Sequence, residues 1–246
     1  PVLAGPEGSV DIAKLNVRFN AALKLADRTE EPQRKKAKAE MEALAGEGLS
    51  GAALWLGVHY YYRRRPAQPE KALVWFLRGA ELGNHCAQYQ AAELLRTSPA
   101  PVRRDIVRAQ KLYEKSAERE YGPAQTALGL MFLRGDGVKR DDKKAFRWFA
   151  RGAANKDAEG QLQLAKLYEI GRGTRKDLSQ AAKWYKAAGE KNIEAAFRFA
   201  EMCDQGLGVA ADKDQAVKWY RAVASRARSN DAYRIRALRR LKELGS

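Results

Sequence analysis

Histidine and cysteine are scarce in this chain. Its 246 residues include two of each, His59 and His85, Cys86 and Cys203. No Cys/His set has the spacing of a zinc site. The two cysteines fall more than three repeat lengths apart in the register set out below. With about 10 Å between stacked helical units, they cannot reach the roughly 6 Å Cα separation of a disulfide. Both read as small buried hydrophobes. Long apolar runs are missing as well, and nothing approaches the roughly 18 apolar residues of a membrane-spanning helix. No nucleophile, base and orienting group fall into a recognisable set, so no catalytic residue, cofactor or metal is expected. Acidic charge is in deficit: 46 Lys and Arg face 30 Asp and Glu, a net +16. Such a surface attracts nucleic acid, anionic lipid or an acidic protein face, although an array with much surface also fills it with Lys and Arg for solvation alone. The sequence begins at Pro1 rather than Met, which leaves open an exported protein whose leader has been removed. A periplasmic location is the expectation, with the cytoplasm as the alternative.

What is present in abundance is self-similarity. Ala72, Ala109, Ala145, Ala181 and Ala216 recur at steps of 37, 36, 36 and 35 residues. Trp75, Leu112, Trp148, Trp184 and Trp219 keep the same steps three residues later, so four of the five tryptophans share one column. That column is expected to face the core between helices. Upstream runs a small-residue column, Ala52, Ala87, Ala124, Gly160 and Ala195, followed five residues on by Gly57, Ala92, Gly129, Ala165 and Ala200. Small residues at helical spacing let helices approach closely. Gly135-Asp-Gly137, Gly171-Arg-Gly173 and Gly206-Leu-Gly208 supply the positive φ of a helix end and turn. Without a preceding strand or a following Lys-Ser/Thr they do not read as phosphate loops. Asp105, Asp141, Asp177 and Asp212 stand four residues before an Ala of the second helix, where a carboxylate caps the opening turn. Each unit therefore reads helix A, glycine turn, cap, helix B.

The stretch Ala124-Gln-Thr-Ala-Leu-Gly-Leu-Met-Phe-Leu-Arg-Gly-Asp-Gly-Val138, with Asp141 to Ala145 and Trp148-Phe149, resembles the Sel-one-like repeat, a relative of the tetratricopeptide repeat. The resemblance implies an all-α, right-handed solenoid of helix–turn–helix units. Five repeats are expected at 48–83, 84–120, 121–157, 158–192 and 193–227. The first two have Arg63-Arg-Arg-Pro-Ala-Gln-Pro69 and Thr97-Ser-Pro-Ala-Pro101 in place of the glycine turn. Residues 1–47 are expected to hold two capping helices, over 10–27 and over 31–46 from Pro32. The second resembles a degenerate helix B, because Ala37 and Ala45 precede Ala72 and Ala80 by 35 residues. A last capping helix is expected within 228–246, with Arg236, Arg239, Arg240 and Lys242 placed to favour its C-terminal dipole.

In this superfamily helix A lines the concave face. Removing its packing columns leaves Trp55, Val58 and Tyr62, then Gln90, Glu93 and Thr97, then Ala127, Leu130 and Arg134, then Gln163, Lys166 and Ile170, then Arg198, Glu201 and Gln205. The i, i+3, i+7 spacing puts each trio on one helical face. Trp55, Tyr61, Tyr62, Leu130 and Leu133 are too apolar for a purely solvated surface. Those of the first repeat serve either a partner or the docking of the first helix. His59 falls in the column of Leu94, Met131, Leu167 and Met202 and is expected to be packed or half-buried. The family resemblance implies a non-catalytic, monomeric protein-binding module. Relatives of this type include bacterial immunity proteins that neutralise phospholipase effectors of the type VI secretion system. They also include regulators of envelope signalling and secreted host-interacting factors. The disulfide-rich branch credited with hydrolase activity does not suit two distant cysteines. Nucleic-acid binding is disfavoured by acidic residues on the helix A face, Glu93 and Glu201 among them. The expected partner is a protein with an acidic surface, possible effectors included.

Overall fold

The computed structural model describes residues 11–27, 30–63, 66–97 and 99–245. The expected start of the first helix at residue 10, and Arg64 and Arg65 of the first turn, lie outside them. The described residues are helical throughout, with no strand, and form two compact units that divide between Arg119 and Glu120. The N-terminal unit contains α1 (Ile12–Ala26), α2 (Glu31–Gly46), α3 (Ser50–Val58), α4 (Pro69–Glu81), α5 (His85–Thr97) and α6 (Ile106–Glu118). A π-helical turn over His59–Arg63 prolongs α3. The C-terminal unit contains α7 (Gly122–Arg134), α8 (Asp142–Ala154), α9 (Ala158–Ile170), α10 (Leu178–Gly189), α11 (Ile193–Gln205), α12 (Lys213–Arg226) and α13 (Ala232–Glu243). Within each unit every helix packs chiefly on its chain neighbours. This is the α-solenoid class.

The start and stop signals act as chemistry predicts. Asp105, Asp141, Asp177 and Asp212 accept from the backbone N–H three residues on at 2.8–2.9 Å, opening α6, α8, α10 and α12. Helix A is capped too: Asn84, Asp157 and Asn192 accept from Ala87, Gly160 and Ala195. Gly135, Gly171 and Gly206 adopt left-handed φ and close α7, α9 and α11. One backbone bond then ties the start of each helix B to its helix A. It runs from Gln68 to Tyr60, Asp105 to Leu95, Asp141 to Phe132, Asp177 to Tyr168 and Asp212 to Cys203, at 2.8–3.0 Å. The first two repeats make it without the Gly-x-Gly turn.

The tryptophan column departs from expectation. Trp75, Trp148, Trp184 and Trp219 are only half-buried, and Arg151 lies over the Trp148 ring at 4.8 Å. The residue after each is the true core position: Phe76, Tyr113, Phe149, Tyr185 and Tyr220 are all buried. The reason is angular. At about 100° per residue, position i+4 from the buried Ala returns within about 40° of it, whereas i+3 falls about 60° short. These rings press into helix A where the second small-residue column leaves room. A Cβ on Gly57 would stand 2.4 Å from the Phe76 ring, and one on Gly129 2.6 Å from the Phe149 ring. Cys86 is half-buried rather than buried, and Cys203 is buried; both are free thiols.

The terminal helices continue the pattern. Ala22 and Met41 fall 35 residues before Gly57 and Phe76, and both are buried. So α1 and α2 form a degenerate A–B pair, with methionine in place of the core ring. Phe19 of α1 lies over Gly51. At the other end α13 packs on α12 and α11 as the helix A of a further repeat would. Its arginines reach side chains of α11 rather than only its own C-terminal carbonyls: Arg236 meets Glu201 at 2.8 Å and Arg240 meets Asp204 at 2.6 Å.

Two outcomes follow for stability. Phe149→Ala is expected to cost about 3–5 kcal/mol, as for other large-to-small core changes, and Trp148→Ala about 1–2 kcal/mol, in keeping with partial burial. Chemical denaturation midpoints will rank them. Gly173 has φ +72, and a Cβ there would lie 2.2 Å from the Asp142 carbonyl oxygen of the preceding repeat. Gly173→Ala is expected to cost about 2 kcal/mol or more, and a wild-type midpoint would refute the tight inter-repeat contact.

Candidate protein-binding surface

In the first repeat the helix A surface is aromatic. Trp55 is half-buried and stacks on His59, ring centroids 5.2 Å apart at 14°. His59, itself half-buried, meets Tyr60 edge-on. Tyr60 is buried, with the ammonium groups of Lys38 and Lys71 near its face. Val58 and Tyr61 pack against the surrounding core together with Trp55. Tyr61 holds Tyr62 edge-to-face at 4.7 Å. Tyr62 is 52 % exposed, and its hydroxyl donates to Gln90 Oε1 of α5 at 3.2 Å. Of the sequence-predicted residues, Tyr61, Tyr62 and Gln90 are thus in contact, and Trp55 and Val58 pack on the same core as Tyr61 in the N-terminal unit.

The charged candidates are occupied differently. Glu93 accepts from the buried Tyr113 hydroxyl and from Arg96 at 2.8 Å, and Arg96 also donates to Tyr113 at 3.1 Å. In the C-terminal unit Gln163 donates to Glu159 at 2.7 Å and Lys166 pairs with Glu194 at 2.8 Å. Arg198 pairs with Glu201 at 3.1 Å, and Glu201 also holds Arg236. Leu130 is half-buried against the core around Phe149, as is Leu133. Arg134 is exposed, and so is Ile170 at 63 %. Ala127 is buried, so it offers nothing to a partner.

A second column runs along helix A, four residues after the second small-residue column. Where the core ring is Phe, helix A presents an apolar residue: Tyr61 with Phe76, Leu133 with Phe149. Where it is Tyr, the same position carries charge: Arg96 with Tyr113, Glu169 with Tyr185, Asp204 with Tyr220. Tyr185 donates to Glu169 at 2.5 Å, Tyr220 bonds Asp204, and Asp204, whose side chain is 3 % exposed, is closed off by Arg240. The Phe/Tyr alternation was the available signal. Burial first, then the neighbouring carboxylates, push the phenols of Tyr113, Tyr185 and Tyr220 well above the usual tyrosine value. At Asp142 the hydrogen bonds from Arg172 and then Arg140 hold the carboxyl down at about 2. No group of three or more His, Cys, Asp or Glu could hold a metal among the described residues. Likewise, no helix among them is long and apolar enough to cross a membrane.

The same five hairpins are what the Sel1 repeat family matches, over residues 50–84, 87–121, 122–157, 158–192 and 193–226. The chain belongs to the Sel1 repeat family. Sel1 repeat solenoids typically work as non-catalytic scaffolds for protein–protein interaction. Among solved structures, the chain is similar to c5321, a protective antigen of uropathogenic Escherichia coli, with 25 % identity and a TM-score of 0.74. The match covers 96 % of this chain and 55 % of that one, so the chain spans little over half of that relative. A Sel1 repeat protein from Oxalobacter formigenes shows 23 % identity and a TM-score of 0.73 over 93 % of this chain and 88 % of its own. The immunity protein Pa5087 from Pseudomonas aeruginosa shares the fold at 15 % identity and a TM-score of 0.55, over 86 % and 81 %. No curated protein sequence matches the chain.

The tyrosine–carboxylate bonds give a pH signature. A phenol whose folded value is raised adds stability below the unfolded value of about 10, and that stability is lost as pH rises through the folded value. Of the ten tyrosines, Tyr113, Tyr185 and Tyr220 are expected to ionise only as the chain unfolds, visible as a lag in phenolate absorbance. Tyr185→Phe should shorten that lag and cost about 1 kcal/mol, the worth of one hydrogen bond.

Proposed function

We propose that this Sel1 repeat protein is an immunity protein, which binds a toxic effector through the helix A surface and blocks it. The observation that carries the reading is the contrast along helix A. Glu93, Lys166, Arg198 and Glu201 are committed to partners within the chain. Tyr62 stands half in solvent, edge-to-face with Tyr61 and bonded to Gln90, on the helix that also carries the half-buried Val58 and Trp55. Rigid aromatics of this kind are the usual anchors of an interface, because they bury much area for little lost freedom. The net +16 suits an acidic effector surface and would speed encounter. The fold shared with Pa5087 agrees with the reading, and we place the encounter in the periplasm. The similarity to the E. coli protective antigen favours a second reading, a surface or secreted factor that meets host proteins through the same aromatic patch.

The deciding experiment expresses the candidate effector in cells with and without this chain, then measures binding of the purified pair. Wild-type chain should restore growth. Tyr62→Ala should keep the parental melting temperature, raise the dissociation rate by about tenfold or more, equivalent to about 1.4 kcal/mol, and weaken protection. Arg134→Glu should chiefly slow association and blunt its salt dependence. Lack of protection by wild type sinks the immunity reading, and unchanged binding by folded Tyr62→Ala sinks the aromatic surface. Cell fractionation checks the compartment.

A further inference from the structure

The repeats are similar enough that each interface between them is a control for the next. Where α8 meets α9, Phe146 and Tyr168 fill the crevice between successive hairpins, rings 5.2 Å apart and edge-to-face. The equivalent residues where α10 meets α11 are Ala182 and Cys203, by the steps of 36 and 35 that relate these repeats. At the first interface the pair is Leu73 and Leu95, again two large side chains. Two aromatic rings have thus been replaced by the smallest apolar groups. The adjoining turn changes with them: Val209-Ala-Ala211 stands where the preceding repeats have Thr174-Arg-Lys176 and Val138-Lys-Arg140.

The result is an open crevice of about 800 Å³ between α10, α11 and the start of α12. That lies within the range of small-ligand sites, roughly 300–1,000 Å³. Its floor is Ala182, Phe199, Cys203 and Val209. The Cys203 thiol is buried and donates to Gln215 Oε1 at 3.8 Å. The rim carries Lys183, Lys186 and Lys213. Lys183 follows a column that is basic in the preceding repeats, at Lys111 and Arg147. Lys186 and Lys213 have no basic counterpart in the preceding repeats; the repeat just before has Ala150 and Leu178 there. The Lys186 ammonium lies 5.8 Å from the Phe199 ring centre. The single carboxylate in the lining, Asp212, is engaged in capping α12 through the Gln215 N–H at 2.8 Å. So the site loses aromatic filling, exchanges the basic turn residues Arg175 and Lys176 for Ala210 and Ala211, and carries two cations instead at Lys186 and Lys213.

We propose that this crevice binds an apolar group that carries a carboxylate, its body on Ala182, Phe199, Cys203 and Val209 and its charge between Lys186 and Lys213. A free small carboxylate and the C-terminus of a peptide with an apolar last residue present the same chemistry. The site lies among α10, α11 and α12 and uses none of the aromatic surface of the first repeat, so it stands or falls independently of the immunity reading.

Titration calorimetry on the full chain tests it with 4-phenylbutyrate, its neutral counterpart 4-phenylbutan-1-ol, and an acetylated tripeptide ending in phenylalanine, as free acid and as amide. Saturable one-to-one binding of a carboxylate is expected, with the neutral counterpart at least about tenfold weaker, as the loss of a charge-assisted hydrogen bond implies. Tighter binding of phenylbutyrate than of the peptide acid assigns the site to small molecules, and the reverse to chain ends. Ala182→Phe with Cys203→Tyr restores the side chains of the preceding interface and should abolish binding while the melting temperature holds. Lys186→Gln with Lys213→Gln changes only the rim, so it decides the matter even if the filled variant misfolds. It should weaken the carboxylate about tenfold and leave the alcohol unchanged. Absence of saturable binding by every probe, or an unchanged carboxylate affinity in the lysine variant, overturns the proposal.

Discussion

The hairpins depend on one recurrent contact, an aromatic ring of helix B lodged against a residue of helix A that has almost no side chain. At Gly57 with Phe76 and Gly129 with Phe149 the fit leaves no room for even a methyl group. Such proximity brings the helix backbones close enough for the A-to-B turn to close, and that turn fixes the backbone bond to Tyr60, Leu95, Phe132, Tyr168 or Cys203. With no deep central core to share, each hairpin obtains its burial from this notch and from its chain neighbours. The terminal helices obey the same rule with cheaper parts, Met41 doing at α2 what an aromatic does elsewhere.

Most of this was legible because the constraints are backbone constraints, which restrict residue type sharply. The glycine turns, the Asp caps and the buried Ala column each admit few alternatives, and they mark where helix A ends and helix B begins. The core ring was misplaced by one position. Tryptophan is the rarer and more conspicuous residue, yet helical geometry puts its neighbour on the line of the buried Ala. The candidate surface was half legible. Tyr61, Tyr62 and Gln90 are in contact, with Trp55 and Val58 on the same core as Tyr61. The commitments of Glu93, Lys166, Arg198 and Glu201 were not legible, because a charged side chain on a helix face looks the same in sequence whether it meets solvent or a neighbour. The helix dipole accounts for only part of the basic C-terminal end of α13, since Arg236 and Arg240 have carboxylate partners 35 and 36 residues back in α11.

The polar bonds have a character of their own. Tyr113, Tyr185 and Tyr220 are buried rings whose hydroxyls emerge beside carboxylates at the edge of helix A. They add little net energy each, but a ring with its hydroxyl tied cannot turn or slide in its notch. The repeats with Phe76 and Phe149 lack that tether and rely on shape alone. Those hairpins are also the ones with the apolar helix A residues Tyr61 and Leu133 beside them. The swap from tether to grease is local, and it makes room for aromatic and aliphatic surface where the other repeats must spend the position on a carboxylate or a guanidinium.

Gly173 and Gly208 each press their α-carbon face against the carbonyl at the start of the preceding repeat's helix B, Asp142 and Leu178. Main chain meets main chain there, so this contact rests on backbone geometry, with side-chain bonds such as Arg172 to Asp142 added beside it. A joint of that kind works like a standard coupling. A repeat copied in tandem by unequal recombination arrives with a serviceable connection on its upstream side, before selection has touched a single contact. Length can then change in whole modules, while the side chains at each interface vary independently, as Ala182 and Cys203 do beside Phe146 and Tyr168 of the interface before.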